Sequence, residues 1–173
     1  AARRAFDEGP WPRSTPRERA RALERIADGV ERRKEEFRAL LVAEAGAAWL
    51  THEVQLEAPI AFLRNYAALA ASYEFDTMLP AREAGPMLGG GVVSGIAYRQ
   101  PVGVCALMPT WNFPLFLAAQ KLGPALATGC TMVVKPSPYG PLVNLLLAEG
   151  IAEAHLPPCV VNVVSSQSVD AAS

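Results

Sequence analysis

The chain has 173 residues, of which 51% are hydrophobic and 19% charged, with a formal net charge of −1 at pH 7. That length accommodates one domain, or one and part of another, and supplies enough apolar side chains for a buried core. The near-neutral charge gives no electrostatic ground for binding nucleic acid or an anionic membrane, and neither is expected as a partner.

The first third reads as helical. Thr15-Pro16-Arg17-Glu18 is a start signal, with Thr15 as N-cap, Pro16 at the first helical position and Glu18 reaching back as a capping box. Leu23, Ile26, Val30, Phe37, Leu40 and Leu41 then recur at helical spacing, and Gly46 is the stop. The arginines between Arg3 and Arg38 are interleaved with acids, which predicts a solvated face with i,i+4 pairs. A second helix is predicted from about Thr51 to Tyr73, with Val54, Phe62, Leu63, Tyr66 and Leu69 inward and Pro59 kinking it or resetting its start.

From Phe75 to Gln100 the character changes. Leu79 to Gly91 is turn-rich, and Val92 to Arg99 is predicted as an extended strand outside the main core. The stretch from Pro101 to Gln120 carries no charge, but Pro101, Pro109 and Pro114 interrupt it, so a membrane span is excluded in favour of soluble core. A β-α-β-α-β pattern follows: strand Val102–Met108, helix Pro114–Thr128, strand Thr131–Val134, helix Pro141–Ala154 and strand Val160–Val164. Strands without polar alternation are expected to be buried on both faces of a parallel sheet. The predicted class is therefore α/β: N-terminal helices followed by the first β-α-β-α-β half of a Rossmann-like parallel sheet.

Cys105, Cys130 and Cys159 are odd in number and far apart, which points to a reducing, cytoplasmic compartment without a disulfide framework. No signal peptide is visible, since the first ten residues lack an apolar core. His155 has no second histidine or carboxylate at ligand spacing, so no metal is expected, and it reads as a cation or cap at a helix end. The fingerprint G-x-G-x-x-G is absent, and Gly89-Gly90-Gly91 reads as a hinge or turn. Asn112, where the apolar strand gives way to a helix, is either a helix cap or a ligand-facing amide.

Several segments carry a family likeness. Pro101-Val-Gly-Val-Cys-Ala106, Trp111-Asn-Phe-Pro114, Lys121-Leu-Gly-Pro-Ala-Leu-Ala-Thr-Gly129, Val133-Val-Lys-Pro-Ser137, Pro157-Pro158 and Val160-Val-Asn-Val-Val164 resemble the NAD(P)-dependent aldehyde dehydrogenase superfamily in order and spacing. The opening Ala1 to Pro12, followed by Arg17-Glu-Arg-Ala20, is similar to that family's first helices. Each motif alone is weak, whereas together and in register they are specific. The resemblance divides the chain into residues 1–100, N-terminal helices with a strand segment of oligomerisation type, and residues 101–173, part of a coenzyme-binding domain.

The resemblance also implies roles. Asn112 matches an amide that hydrogen-bonds the substrate oxygen as an aldehyde becomes tetrahedral, an oxyanion-hole effect worth roughly 3 kcal/mol; the alternative is the helix cap. Lys135 matches a lysine that bonds the adenosine ribose of NAD or NADP, the alternative being a strand-end lysine reaching for water. Met108, Pro109, Thr110 and Trp111 match the nicotinamide side, although core packing explains Met108 equally well. Ser137 and Pro138 belong with the ribose loop, and Ser168 falls at the pyrophosphate turn. Lys121 matches a lysine of a proton relay, and as a lone charge in an apolar helix it is expected to be buried with partners or to make a structural contact. The implied partners are a small-molecule aldehyde and, in a full-length protein, further copies in a homodimer or homotetramer.

Departures from the pattern matter as well. Pro138 stands where the family often has a ribose-binding glutamate, which leaves NAD versus NADP open. Ser165 to Ser168 replace a glycine-containing turn. His155 and Cys159 occupy positions usually held by glycine, with strain expected if φ is positive there. The nucleophilic cysteine and the activating glutamate of the family match nothing here, since none of the three cysteines aligns with the nucleophile. The expectation is an N-terminal portion of an aldehyde dehydrogenase, inactive alone; the alternative is a non-catalytic remnant or interaction protein on the same fold.

Overall fold

A computed structural model describes residues 1–166. Helix α1 (Ala2–Asp7) leads into α2 (Pro16–Arg32), which opens on the expected capping box. The Thr15 N–H donates to the Glu18 carboxylate at 2.7 Å, and the Glu18 N–H returns to Thr15 Oγ1 at 3.3 Å. The helix predicted as continuous breaks at Arg33, where φ is −100° and ψ 19°, and resumes as α3 (Lys34–Ala45). The packing changes across the break: α2 lies chiefly on α4 (Ala58–Ser72) and also touches α6 (Leu142–Glu153), whereas α3 lies chiefly on α6. Arg33 secures the corner with ion pairs to Glu36 at 2.9 Å and Glu149 at 2.8 Å. Gly46 ends α3 in the left-handed conformation at φ 61°, as expected.

Pro59 does reset the second helix. Glu53–Glu57 form a π-turn in which the Ala58 N–H reaches back to the Glu53 carbonyl, and the regular helix α4 starts at Ala58. Its inward side differs in part from the expectation. Leu63 is buried together with Leu56, Ile60, Ala67 and Ala70, but Val54 and Leu69 are exposed. The π-turn shifts the phase of the helix, so Val54 rotates out of the stripe that a uniform 3.6-residue period assigns it.

Strands β1 (Asp76–Glu83) and β2 (Val92–Tyr98) pair as an antiparallel hairpin running from Asp76 opposite Tyr98 to Glu83 opposite Val92. The second strand was expected; the first was hidden in what reads as a turn-rich segment. Pro80 lies within the irregularity between Leu79 and Arg82, where a missing N–H does not interrupt the ladder. Gly89, Gly90 and Gly91 all have positive φ and close the hairpin, so they form a turn.

Strands β3 (Val104–Leu107), β4 (Thr131–Val134) and β5 (Val161–Val163) form a parallel sheet in that order, with α5 (Pro114–Thr128) and α6 as the crossovers. The α5 and β4 boundaries coincide with the predicted ones. Burial on both faces holds for β4, but β3 exposes Val104 and Ala106 while burying Leu107. β3 is an edge strand, and the helices packed on it cover one side only. One core joins the layers: Leu23, Ile26, Phe37, Leu41, Leu63, Leu115, Leu122, Leu126 and Met132 are wholly buried in a single cluster. Buried Arg19 ties α2 to the end of α5, its Nε–H donating to the Ala127 carbonyl at 2.8 Å beneath the Phe75 ring.

Candidate active site

The carboxyl ends of β3 and β4 are locked together, because the Lys135 N–H donates to the Leu107 carbonyl at 2.8 Å. Two loops leave from this point. In the first, Pro109 is buried, Met108, Thr110 and Asn112 are exposed, and Trp111 is half exposed. The helix it enters takes Phe113 as its N-cap residue with no side-chain cap, and Pro114 opens the first turn. The cap reading of Asn112 is thus overturned. Its Oδ1 instead accepts the Thr110 hydroxyl at 2.6 Å, which fixes the amide and leaves Nδ2 without a hydrogen bond among the described residues. Phe113 meets Phe116 at 6.2 Å between ring centroids, and Phe116 meets Phe62 edge-on at 5.2 Å, so an aromatic wall begins beside the amide.

In the second loop Lys135 and Ser137 are half-buried and Pro138 exposed. Ser137 makes the turn: its Oγ accepts the Tyr139 N–H at 3.3 Å and its carbonyl the Gly140 N–H at 3.2 Å. Gly140 is buried against the first loop, and a Cβ there would lie 3.5 Å from both Cα and Cβ of Trp111. The fold therefore brings Met108 to Asn112 and Lys135 to Pro138 to one edge, the carboxyl end of a parallel sheet, where open α/β folds bind ligands.

A model of the aldehyde dehydrogenase family matches residues 1–173. The chain belongs to that family. It is 40% identical over 166 residues to the mitochondrial aldehyde dehydrogenase of Sus scrofa, covering 95% of this chain and 30% of that one. It is 38% identical to a succinate-semialdehyde dehydrogenase of Paenarthrobacter nicotinovorans, covering 94% of this chain and 34% of that one. Among solved structures, a NAD-dependent aldehyde dehydrogenase from Sinorhizobium meliloti superposes with a TM-score of 0.83 at 30% identity, over 95% of this chain and 31% of that one. Betaine aldehyde dehydrogenase from Staphylococcus aureus, solved with NAD+, gives a TM-score of 0.83 at 27% identity, over 95% and 31% of the two chains. The chain thus spans about a third of the length of the relatives it matches.

Not every residue singled out in this aldehyde dehydrogenase chain joins the site. Lys121 is exposed on α5 rather than buried, roughly 10 Å along the axis from Pro114 at the helical rise per residue. An amphipathic stem on a helix rim satisfies a lysine without burial. Cys105, within β3, is half-buried, and its thiol is pushed up to about 11 by burial and by the neighbouring Cys130, which favours the neutral form. Cys130 is buried, and Cys159 lies in the turn before β5 with φ 65°. Ser168 lies outside the described residues. An apolar cleft of about 190 Å³ between Tyr66, Tyr73, Phe75, Arg99 and Pro124 shares no lining residue with the two loops. One residue at this edge escapes sequence reasoning altogether: Glu44, at the far end of α3, places its carboxylate on the first turn of α6. Nothing local in the sequence marks a contact that spans 98 residues.

Proposed function

We propose that this chain supplies the oxyanion donor and the coenzyme-side loops of an NAD(P)-dependent aldehyde oxidation, yielding a carboxylic acid in the longer protein. The observation that carries the reading is the Asn112 amide: Thr110 holds its Oδ1, and its Nδ2 makes no hydrogen bond among the described residues, at the carboxyl edge of the parallel sheet. A donor already in place when the carbonyl oxygen gains charge lowers the barrier without reorganisation, by roughly 3 kcal/mol on the scale of oxyanion-hole deletions. Thr110 is then a positioning residue. Met108, Pro109 and Trp111 form the surface for the nicotinamide, and Lys135 holds the adenosine ribose with Ser137 and Pro138 beside it. The bound coenzyme supplies a hydride acceptor. Lys121, on the outer rim of α5, serves proton transfer only if other parts of the protein enclose it.

The chemistry further requires a thiolate and a general base. Cys105, Cys130 and Cys159 are all assigned structural roles, so the chain is proposed to be inactive towards aldehydes by itself. Residues 1–100 then act as the helical and oligomerisation part, and residues 101–173 as part of the coenzyme domain. The exposed apolar residues of the hairpin, Met78, Val92, Val93, Ile96 and Tyr98, support assembly into a homodimer or homotetramer. A cytoplasmic location goes with the unpaired cysteines, and no helix among the described residues is long and apolar enough to cross a membrane.

Titration of the chain with NADH, read by tryptophan fluorescence, tests the coenzyme assignment. The expected result is quenching that saturates only near about 1 mM, equivalent to about 4 kcal/mol of binding, and that is lost in Trp111→Phe. Saturation at micromolar concentration would contradict a half-site, and a quench unaffected by Trp111→Phe would place the coenzyme elsewhere.

A further inference from the structure

An α-helix opens with N–H groups that have no partner within the helix, and with the helix dipole they form a ready site for anions. Helix α6 starts at the carboxyl end of β4, in the loop that holds Lys135, yet its first turn is fully occupied. The Leu142 N–H donates to Glu44 Oε1 at 2.7 Å and the Val143 N–H to Oε2 at 3.1 Å. The Asn144 and Leu145 N–H groups both donate to the Pro141 carbonyl, at 3.1 and 3.0 Å. The rest of the loop is equally short of donors. Pro136, Pro138 and Pro141 have no N–H, and those of Lys135, Tyr139 and Gly140 are committed to Leu107, Ser137 Oγ and the Ser137 carbonyl. Of the backbone N–H groups from Lys135 to Leu145 that of Ser137 alone remains, beside the Ser137 and Tyr139 hydroxyls.

We propose that Glu44 is a specificity-determining residue that makes this edge select a dinucleotide with a free adenosine 2′-hydroxyl over one bearing a 2′-phosphate. The inference rests on the placement of the adenosine ribose at Lys135 made under the proposed function. A 2′-phosphate brings between one and two further negative charges and needs several donors. Here it meets the Lys135 ammonium, the Ser137 hydroxyl and one backbone N–H, with the Glu44 carboxylate fixed on the helix end that would otherwise attract it. A ribose diol is neutral and needs only the lysine and an acceptor. The absence of a carboxylate at Pro138 does not open the site to phosphate, because the negative charge arrives from α3 instead.

The test compares NAD+ and NADP+ binding to the 173-residue chain and to Glu44→Gln. Amide resonances of Lys135, Ser137 and Leu142 are followed by NMR up to millimolar coenzyme. Glutamine keeps the shape and an acceptor oxygen but removes the charge. The wild type should bind NAD+ about tenfold more tightly than NADP+, and E44Q should narrow that gap to about threefold or less by strengthening NADP+ alone, in keeping with the size of helix-end charge effects. Equal binding of the two coenzymes by the wild type, or an unchanged gap in E44Q, overturns the proposal while leaving the coenzyme site standing. Failure of both coenzymes to perturb Lys135 and Ser137 removes the ribose placement and the inference together. The wild-type preference is measured without any variant, so a poorly folded E44Q still leaves the proposal open to refutation.

Discussion

His155 and Cys159 are the non-glycine residues with positive φ among the described residues, at 53° and 65°, in the turn between α6 and β5. An L-residue in the left-handed region carries steric strain of about 1–2 kcal/mol. Glycine removes that strain but loses more backbone freedom on folding, by roughly 0.5–1 kcal/mol. The difference favours His155→Gly by about 0.5–1 kcal/mol, because the exposed imidazole forfeits little packing. Cys159→Gly should gain less, since its half-buried thiol is lost from the turn. The hydrogen bond from Asn162 Nδ2 to the Cys159 carbonyl, 2.8 Å, survives either change because it uses the backbone.

Urea unfolding reads these differences directly. With a slope of about 2 kcal/mol per molar, His155→Gly should raise the midpoint by about 0.3–0.5 M. The control is Gly46→Ala: φ is 61° and a Cβ there would meet nothing within 4 Å, so only the backbone conformation is tested. That variant should lose about 1 kcal/mol. A lower midpoint for His155→Gly, or an unchanged one for Gly46→Ala, would show that the sign of φ does not govern stability at these positions.

Two further outcomes follow from local geometry. Gly123→Ala sets a Cβ 2.4 Å from the Tyr66 ring, so it should destabilise by about 1–2 kcal/mol despite better helix propensity. Gly150→Ala meets nothing within 4 Å and should gain about 0.5–1 kcal/mol, and the two together separate packing from propensity in one set of unfolding curves. Hydrogen bonds from the Thr15 N–H and hydroxyl hold the Glu18 carboxyl below its ordinary pKa, so its contribution is present above the unfolded pKa and is lost as pH falls through the folded one. The stability gap between the wild type and Glu18→Gln should therefore shrink as pH drops below about 4, and a gap independent of pH would show that the charge plays no part.

Where the sequence is punctuated, the fold was legible in it. The Thr15–Glu18 box, Gly46 and the Pro114 start of α5 were all readable, since each residue there fixes a dihedral or satisfies a helix end within a few positions. The misses share the opposite character. The break at Arg33 has no proline or glycine to announce it and goes with a change of main partner, from α4 under α2 to α6 under α3. Strand β1 was concealed because Pro80 is tolerated at an irregularity that only the pairing with β2 defines. Exposure of Lys121 and of one face of β3 depends on what covers α5 and the sheet edge, which composition does not encode.

The candidate site divides along the same line. Apolar runs and prolines place Asn112 and Lys135 at strand ends, but they leave the amide's partner undetermined, because cap and ligand donor have the same sequence setting. The contact found in place of the cap is a hydroxyl two residues earlier, Thr110 on Oδ1, which leaves Nδ2 without a hydrogen bond among the described residues. Its counterpart in the second loop is Glu44, whose carboxylate arrives from another helix and changes the charge at the start of α6. In both loops a second residue acts on the first: Thr110 holds one edge of an amide, and Glu44 occupies the N–H groups that open α6. Asn112→Ala and Thr110→Val should therefore differ in any longer form of the protein that turns over. The first removes the donor, while the second leaves it present but free to rotate, so Thr110→Val should retain more of the rate.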